Sequence, residues 1–152
     1  MADDIKIIWD KNNLTGDFQL NNGDLLRERG LATSALISIL TDKRASDDDI
    51  IDDPNDKRGW WGDLVSPTPI GSKLWLLDRI KTTPDVLVKA KQYIEECLQW
   101  MIDDEIVIKI EVFVERQGNL ESNILTYEVK IHESFENVIT LKFDDLWKME
   151  VL

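Results

Sequence analysis

This sequence predicts an α+β domain on the strength of three observations. A helical apolar stripe follows Thr83, period-two alternation recurs three times between 106 and 143, and turn-forming residues separate the alternating runs. The expected architecture is an N-terminal hairpin and two main helices packed on a C-terminal three-stranded antiparallel meander. It forms a single domain over residues 1–152, with a long acidic loop at about 46–63.

The elements are justified in chain order. Ile5 to Trp9 and Asn12 to Leu20 flank a cluster of Asn, Gly and Asp, which predicts two short strands around a turn. Asn21-Asn22-Gly23-Asp24 predicts a second turn. Leu36, Ile37 and Leu40 then share a helical face, with Thr33 or Ser34 available as N-cap, so a helix is expected from about Ser34 to Ala45. From Thr41 to Asp63 the chain holds eight Asp and little aliphatic surface to bury, which predicts a long surface loop. After Pro67, Pro69 and Gly71, the run Ser72 to Arg79 reads either as a short helix or as an ordered docking segment.

The second helix has the clearest start. Thr83 caps, Pro84 takes the first helical position and Asp85 lies in the first turn. Leu87, Ala90, Ile94, Cys97, Leu98 and Met101 form its apolar stripe to about Ile102. Strands come next. Ile106, Ile108, Ile110, Val112 and Val114 are expected to face inward, and Lys109, Glu111 and Phe113 outward. A turn at Gln117-Gly118-Asn119 leads to Leu125, Tyr127, Val129 and Ile131 alternating with Thr126, Glu128, Lys130 and His132, and a third strand runs from Val138 to Phe143.

Composition narrows the function. Lys plus Arg is 18 against 30 Asp plus Glu, a net charge of -12, which repels phosphate backbones and anionic headgroups; no nucleic acid and no membrane partner is expected. No apolar run is long enough for a membrane span, and the acidic start is unlike a signal peptide, so the chain is expected to be soluble. With one Cys and one His, neither a disulfide framework nor a Cys/His zinc site can be assembled. Cys97 sits on an apolar stripe as a small buried hydrophobe, and His132 falls on the solvated phase of its strand. Phosphate-binding Gly loops and the G-x-S-x-G elbow are absent, so no catalytic residue and no cofactor is assigned.

The acidic loop fails as a calcium site. Asp47-Asp48-Asp49 and Asp52-Asp53 are contiguous rather than alternating, and neither the sharp-turn Gly nor a closing Glu is present, so no metal is expected. Trp9, Trp75, Trp100 and Trp147 read as core or half-buried anchors. The adjacent Trp60 and Trp61 leave two readings open: both fold back on the domain, or at least one is exposed as an interface anchor beside Arg58.

Three motifs stand in order between Leu40 and Trp75: Asp42-Lys43-Arg44-Ala45, Gly59-Trp60-Trp61-Gly62-Asp63 and Gly71-Ser72-Lys73-Leu74-Trp75. With the N-terminal hairpin and Gly23-Asp24-Leu25-Leu26, they resemble phage Mu-type baseplate proteins of the contractile-tail wedge family over residues 3–148. The resemblance implies a structural, non-enzymatic role in the virion tail baseplate, with host cytoplasm as the place of assembly. It implies six copies around the hub, contacting other wedge proteins, tail hub or tube proteins and the sheath protein. It also implies that the sheet from Ile106 to Phe143 offers an edge for strand pairing with the first sheath ring. On this expectation Arg58, Trp60, Trp61 and Trp75 anchor the wedge contact, and Lys109, Glu111, Phe113, Lys130 and Lys142 face the sheath. The competing readings are an acidic peptidoglycan hydrolase and a monomeric adaptor.

Overall fold

Turn chemistry shapes the N-terminal part. The computed structural model describes residues 4–10, 13, 15–28, 30–77, 83–117, 124–145 and 148–151. Its first six strands are β1 (Asp4–Ile5), β2 (Ile7–Asp10), β3 (Thr15–Phe18), β4 (Leu20–Asn21), β5 (Asp24–Leu25) and β6 (Arg27–Glu28). They pair as three antiparallel ribbons, β2 with β3, β4 with β5 and β1 with β6. The ribbons meet where Lys6 N–H donates to Leu26 O at 2.8 Å and Leu26 N–H to Gln19 O at 2.7 Å. The expected hairpin is β2–β3, although Asn12 and Leu14 in its turn lie outside the described residues. The second turn is a two-residue hairpin loop whose Asn22 and Gly23 take φ of 52° and 86°, the left-handed pair that suits strand twist.

Helix α1 spans Leu31–Leu40, so the boundaries expected from Ser34 to Ala45 are corrected at both ends. The entry is made by Gly30 at φ 74°, a conformation glycine adopts without penalty, and neither predicted hydroxyl caps the helix. Thr33 is buried and occupied elsewhere: it accepts from Ile7 N–H at 3.3 Å and donates to Glu28 at 3.1 Å, tying the ribbons to the helix. The helix stops at Thr41 because the chain turns extended there and forms a parallel bridge between Asp42 and Ser72. Leu36 is buried as expected, whereas Ile37 is 43% exposed.

Two 3-10 turns, Trp61–Leu64 and Leu74–Leu77, punctuate the connection to α2 (Pro84–Asp103). The second of these is the short helix expected after Ser72; Asp78 and Arg79 lie outside the described residues. Helix α2 starts at Pro84 behind an extended Thr83, although the Thr side chain makes no capping bond. Its buried stripe is Val86, Ala90, Ile94, Cys97, Leu98 and Met101, with Leu87 only half-buried.

The helix ends in a reversal that shifts the phase of the next segment. Glu105 takes φ 56°, and the N–H groups of Ile106 and Val107 both donate to Met101 O, at 2.9 and 3.1 Å. Val107 is therefore turned into the core and Ile108 is 52% exposed, the reverse of the expected alternation. Regular alternation begins with β7 (Lys109–Gln117) and continues through β8 (Ile124–His132) and β9 (Val138–Asp145). These strands form the expected antiparallel meander, and a fourth strand unforeseen in the sequence, β10 (Lys148–Val151), extends the sheet to the order β10-β9-β8-β7. Gly118 and Asn119 lie outside the described residues.

Val112, Leu125, Tyr127, Val129, Ile131, Leu141 and Phe143 line the inner sheet face and join the buried stripes of α1 and α2 in one core. Helix α2 lies along β7, and α1 and the 3-10 turn at Leu74 pack on α2. This leaves β7 as one edge of the sheet, with no strand paired to its free side among the described residues.

Candidate protein interface

The three sequence motifs, up to 33 residues apart, converge on one frame. Lys43 N–H donates to Ser72 O at 2.9 Å and Ser72 N–H to Thr41 O at 2.8 Å, while the buried Ser72 hydroxyl donates to Ile39 O at 2.6 Å. Gly71 is required here: at φ +100° a Cβ would stand 2.5 Å from Thr41 O. Trp75 completes the frame by donating its indole N–H to Lys43 O at 2.8 Å.

Arg58 closes the frame from outside. Its guanidinium lies 2.8 Å from the Asp42 carboxylate and 4.5 Å from the centre of the Trp75 ring. The Arg58 backbone has φ 48°, and Gly59 follows at φ 107°, where a Cβ would stand 2.8 Å from Arg44 Cβ. Trp75 is 9% exposed, so it supports Arg58 from beneath and is not itself presented as an outward anchor.

The acidic loop between these motifs is anchored by its own ion pairs. Lys73 lies 2.6 Å from Asp49 and donates to the Ser46 hydroxyl at 2.7 Å, and both N–H and hydroxyl of Ser46 also donate to Asp49. Burial works against the Asp49 charge, but hydrogen bonds from Lys73 and Ser46 outweigh it and hold the carboxyl below its usual 3.8. Asp47 is likewise held low, first by a hydrogen bond from Lys57. Ala45 is buried, with its N–H on Lys57 O at 2.9 Å, so the loop is not a purely surface feature. Asp48, Asp49, Ile51, Arg58, Trp75 and Tyr93 line a cleft between this loop and α2. Among the described residues, no cluster of His, Cys, Asp and Glu has metal-site geometry.

Trp60 and Trp61 behave differently from each other. Their rings stand 5.3 Å apart at 47°, with Trp60 38% and Trp61 75% exposed. The Trp60 ring lies over Gly62, where a Cβ would fall 2.1 Å from ring carbons. Trp100 is half-buried with its N–H on the Ser38 hydroxyl at 3.1 Å. The Trp9 side chain and Trp147 lie outside the described residues.

The outward face of the sheet carries the second predicted group. Phe113, Glu128 and Lys142 stand opposite one another across β7, β8 and β9. Glu128 pairs with Lys130 at 3.1 Å and Lys142 at 3.3 Å, and the Lys130 ammonium lies 5.3 Å from the Phe113 ring centre. Glu111 pairs with Lys109 at 2.7 Å and with the half-buried His132 at 2.7 Å. Both carboxyls are held below the usual range, Glu111 first by the hydrogen bond from Lys109 and Glu128 first by that from Lys130. Lys109, Glu111, Phe113, Lys130 and Lys142 thus share one outward surface, separate in the chain from the Trp60 region. No role is expected from the sequence for Leu64 and Val65, which are 89% and 84% exposed, because nothing in their spacing sets which way a short 3-10 turn points them.

Comparison with known proteins places this arrangement. A family profile described as phage protein GP46 matches residues 31–137, from the start of α1 to the turn between β8 and β9, and so spans all three motifs. The chain is 41% identical over 139 residues to the baseplate protein gp46 of Escherichia phage Mu, a match covering 84% of this chain and 94% of that protein. It is 32% identical over 129 residues to the Mu-like prophage FluMu protein gp46 of Haemophilus influenzae, covering 84% and 85%. The chain belongs to the phage protein GP46 family.

Proposed function

We propose that this chain is a structural subunit of a contractile-tail baseplate, a wedge component set in six copies around the hub. The observation that carries the reading is the 41% identity that extends over 94% of the Mu baseplate protein. Its partners are the other wedge proteins, the hub or tube proteins and the sheath protein; it assembles in host cytoplasm and ends in the virion tail. In this reading Arg58, Trp60 and Trp61 make the wedge contact, seated on Trp75. The β7 edge takes a strand from the sheath, with Lys109, Glu111, Phe113, Lys130 and Lys142 on the face alongside it. The nine-residue β7 supports this, because alternate N–H and C=O groups of an edge strand point away from its single partner.

Co-expression with the tail proteins encoded beside this chain, followed by size exclusion and negative-stain imaging, tests the reading. A wedge- or ring-shaped complex is expected, and a zymogram on cell-wall substrate should stay blank. Glu115→Pro and Arg116→Pro then test the edge, because adjacent N–H groups of a strand point to opposite sides. The variant that blocks only the open side should fold and fail to start sheath assembly; normal sheath growth from both variants would rule the template out.

A further inference from the structure

The segment after Gly59 turns large apolar side chains outward on a firmly held turn. Trp61, Leu64 and Val65 are 75%, 89% and 84% exposed, and Trp60 38%. Trp61 and Leu64 lie on the 3-10 turn Trp61–Leu64 and Trp60 and Val65 flank it, with Asp63 N–H donating to Trp60 O and the N–H groups of Val65 and Ser66 to Gly62 O, each at 3.1 Å. Asp63 fastens the turn to the following segment by accepting from Ile70 N–H at 3.1 Å. The Trp60 ring folds over the buried Gly62, while Trp61, Leu64 and Val65 project into solvent. The result is a convex knob.

Area and charge decide what covers it. The four side chains expose on the order of 500 Å² of largely apolar surface, at the upper end of what a monomer carries. A two-fold contact between copies built on this knob alone would bury about 1,000 Å² in total, short of the roughly 1,200–2,000 Å² of a stable interface. Each copy also carries a net charge of -12, of which -4 falls in the segment from Thr41 to Asp63, where eight Asp outnumber four Lys and Arg, so like copies repel. A convex apolar knob on an acidic protein fits a concave apolar pocket with a Lys/Arg rim on a different protein.

We propose that Trp61, Leu64 and Val65 insert together into such a basic-rimmed pocket on a neighbouring tail protein. This rests on the baseplate reading above and adds to it the contact residues Leu64 and Val65 and the chemistry of the partner's surface.

The test compares hydroxyl-radical footprints of the full chain, free and in complex with the tail proteins encoded beside it, together with affinities of the wild type and of Trp61→Ala/Leu64→Ser. Labelling of Trp61, Leu64 and Val65 should fall on assembly. The double variant changes exposed positions and should melt as the wild type does, yet bind at least about tenfold more weakly. Affinity should also drop as NaCl is raised from about 0.1 to 0.5 M, where the rim charges are screened. A normal complex with unchanged labelling at all three residues would overturn the knob and leave the baseplate reading standing. Protection in the free chain through a self-dimer that the double variant abolishes would make the occupant a second copy, and would overturn the proposal equally. Affinity that is unchanged or rises with salt would remove the basic rim. If no tail protein forms a complex with the wild type, the baseplate reading fails and the knob with it.

Discussion

Lys73 shows how one side chain determines whether the acidic loop is a fixed part or a tether. Its ammonium and the Asp49 carboxylate are only 19% and 16% exposed, and both also bond Ser46, so removing the cation leaves a partly buried carboxylate with Ser46 alone. Lys73→Met should cost about 1–3 kcal/mol, a fall of roughly 3–9 °C in the melting temperature by calorimetry. The pH dependence has a fixed sign. The folded pKa of Asp49 lies below 3.8, so the pair stabilises the fold above about pH 4 and is lost as pH falls through the lower folded value; the gap between wild type and variant should close only below that pH. Cys97 gives a second check at this scale. It is 6% exposed, its Sγ–H donates to Ile94 O at 3.2 Å, and burial pushes the thiol up to about 12. The native protein should leave an aromatic disulfide reagent unreacted at about pH 8 and release one equivalent of thiol when unfolded in guanidinium. Prompt reaction in the native state would mean that α2 does not pack as described.

The element that decides the geometry around Arg58 is the bridge between the end of α1 and the 3-10 turn at Leu74. Gly71 lets the two chains touch, since its φ of +100° and the 2.5 Å from a Cβ to Thr41 O leave no space for a side chain. Gly71→Ala should therefore cost about 2–4 kcal/mol, read as a drop of roughly 4–12 °C in melting temperature, and should loosen Trp75 under Arg58. An unchanged Trp75 indole N–H resonance in this variant, assigned by its loss in Trp75→Phe, would argue against that linkage. Elements whose order is local were legible in the sequence. Helix α2 has Thr83-Pro84-Asp85 at its start and an apolar stripe behind it, and the meander has alternation that survives any docking geometry. Elements set by distant partners were not. Helix α1 begins at a left-handed Gly30 and ends where Asp42 meets Ser72, contacts that no spacing within α1 encodes. Strand β10 exists through its pairing with β9, and Ile108 faces outward because Glu105 reverses the chain. At the candidate interface the Trp60-Trp61 pair was visible, whereas the burial of Trp75 and the exposure of Leu64 and Val65 depend on the frame beneath them.

At the scale of the whole molecule, the core and the N-terminal ribbons are separable. Among the described residues, the buried cluster lies at or beyond Leu31, while β3 and β4 are exposed along their length, with Phe18 and Leu20 at 56% and 68%. Among the described residues, the contacts that join the ribbons to the body include Thr33 with Ile7 and Glu28, Gly30 beside Asp4, and β2 near β10. The family profile begins at residue 31, the first residue of α1, although the matches to both relatives, at 84% of this chain, extend before it. Hydrophobic burial dominates stability, and contacts at a polar junction add only about 1 kcal/mol each. A chain starting at Gly30 should therefore still melt cooperatively, with the helical signal of α1 and α2 retained and a midpoint lowered by roughly 5–10 °C for the lost junction. Circular dichroism and calorimetry measure both. A truncated chain that is unfolded, or that melts without cooperativity, would show that the ribbons carry core energy their exposure conceals. If it melts as expected yet no longer enters the tail complex, the ribbons with Phe18 and Leu20 serve assembly, and folding is the task of the body.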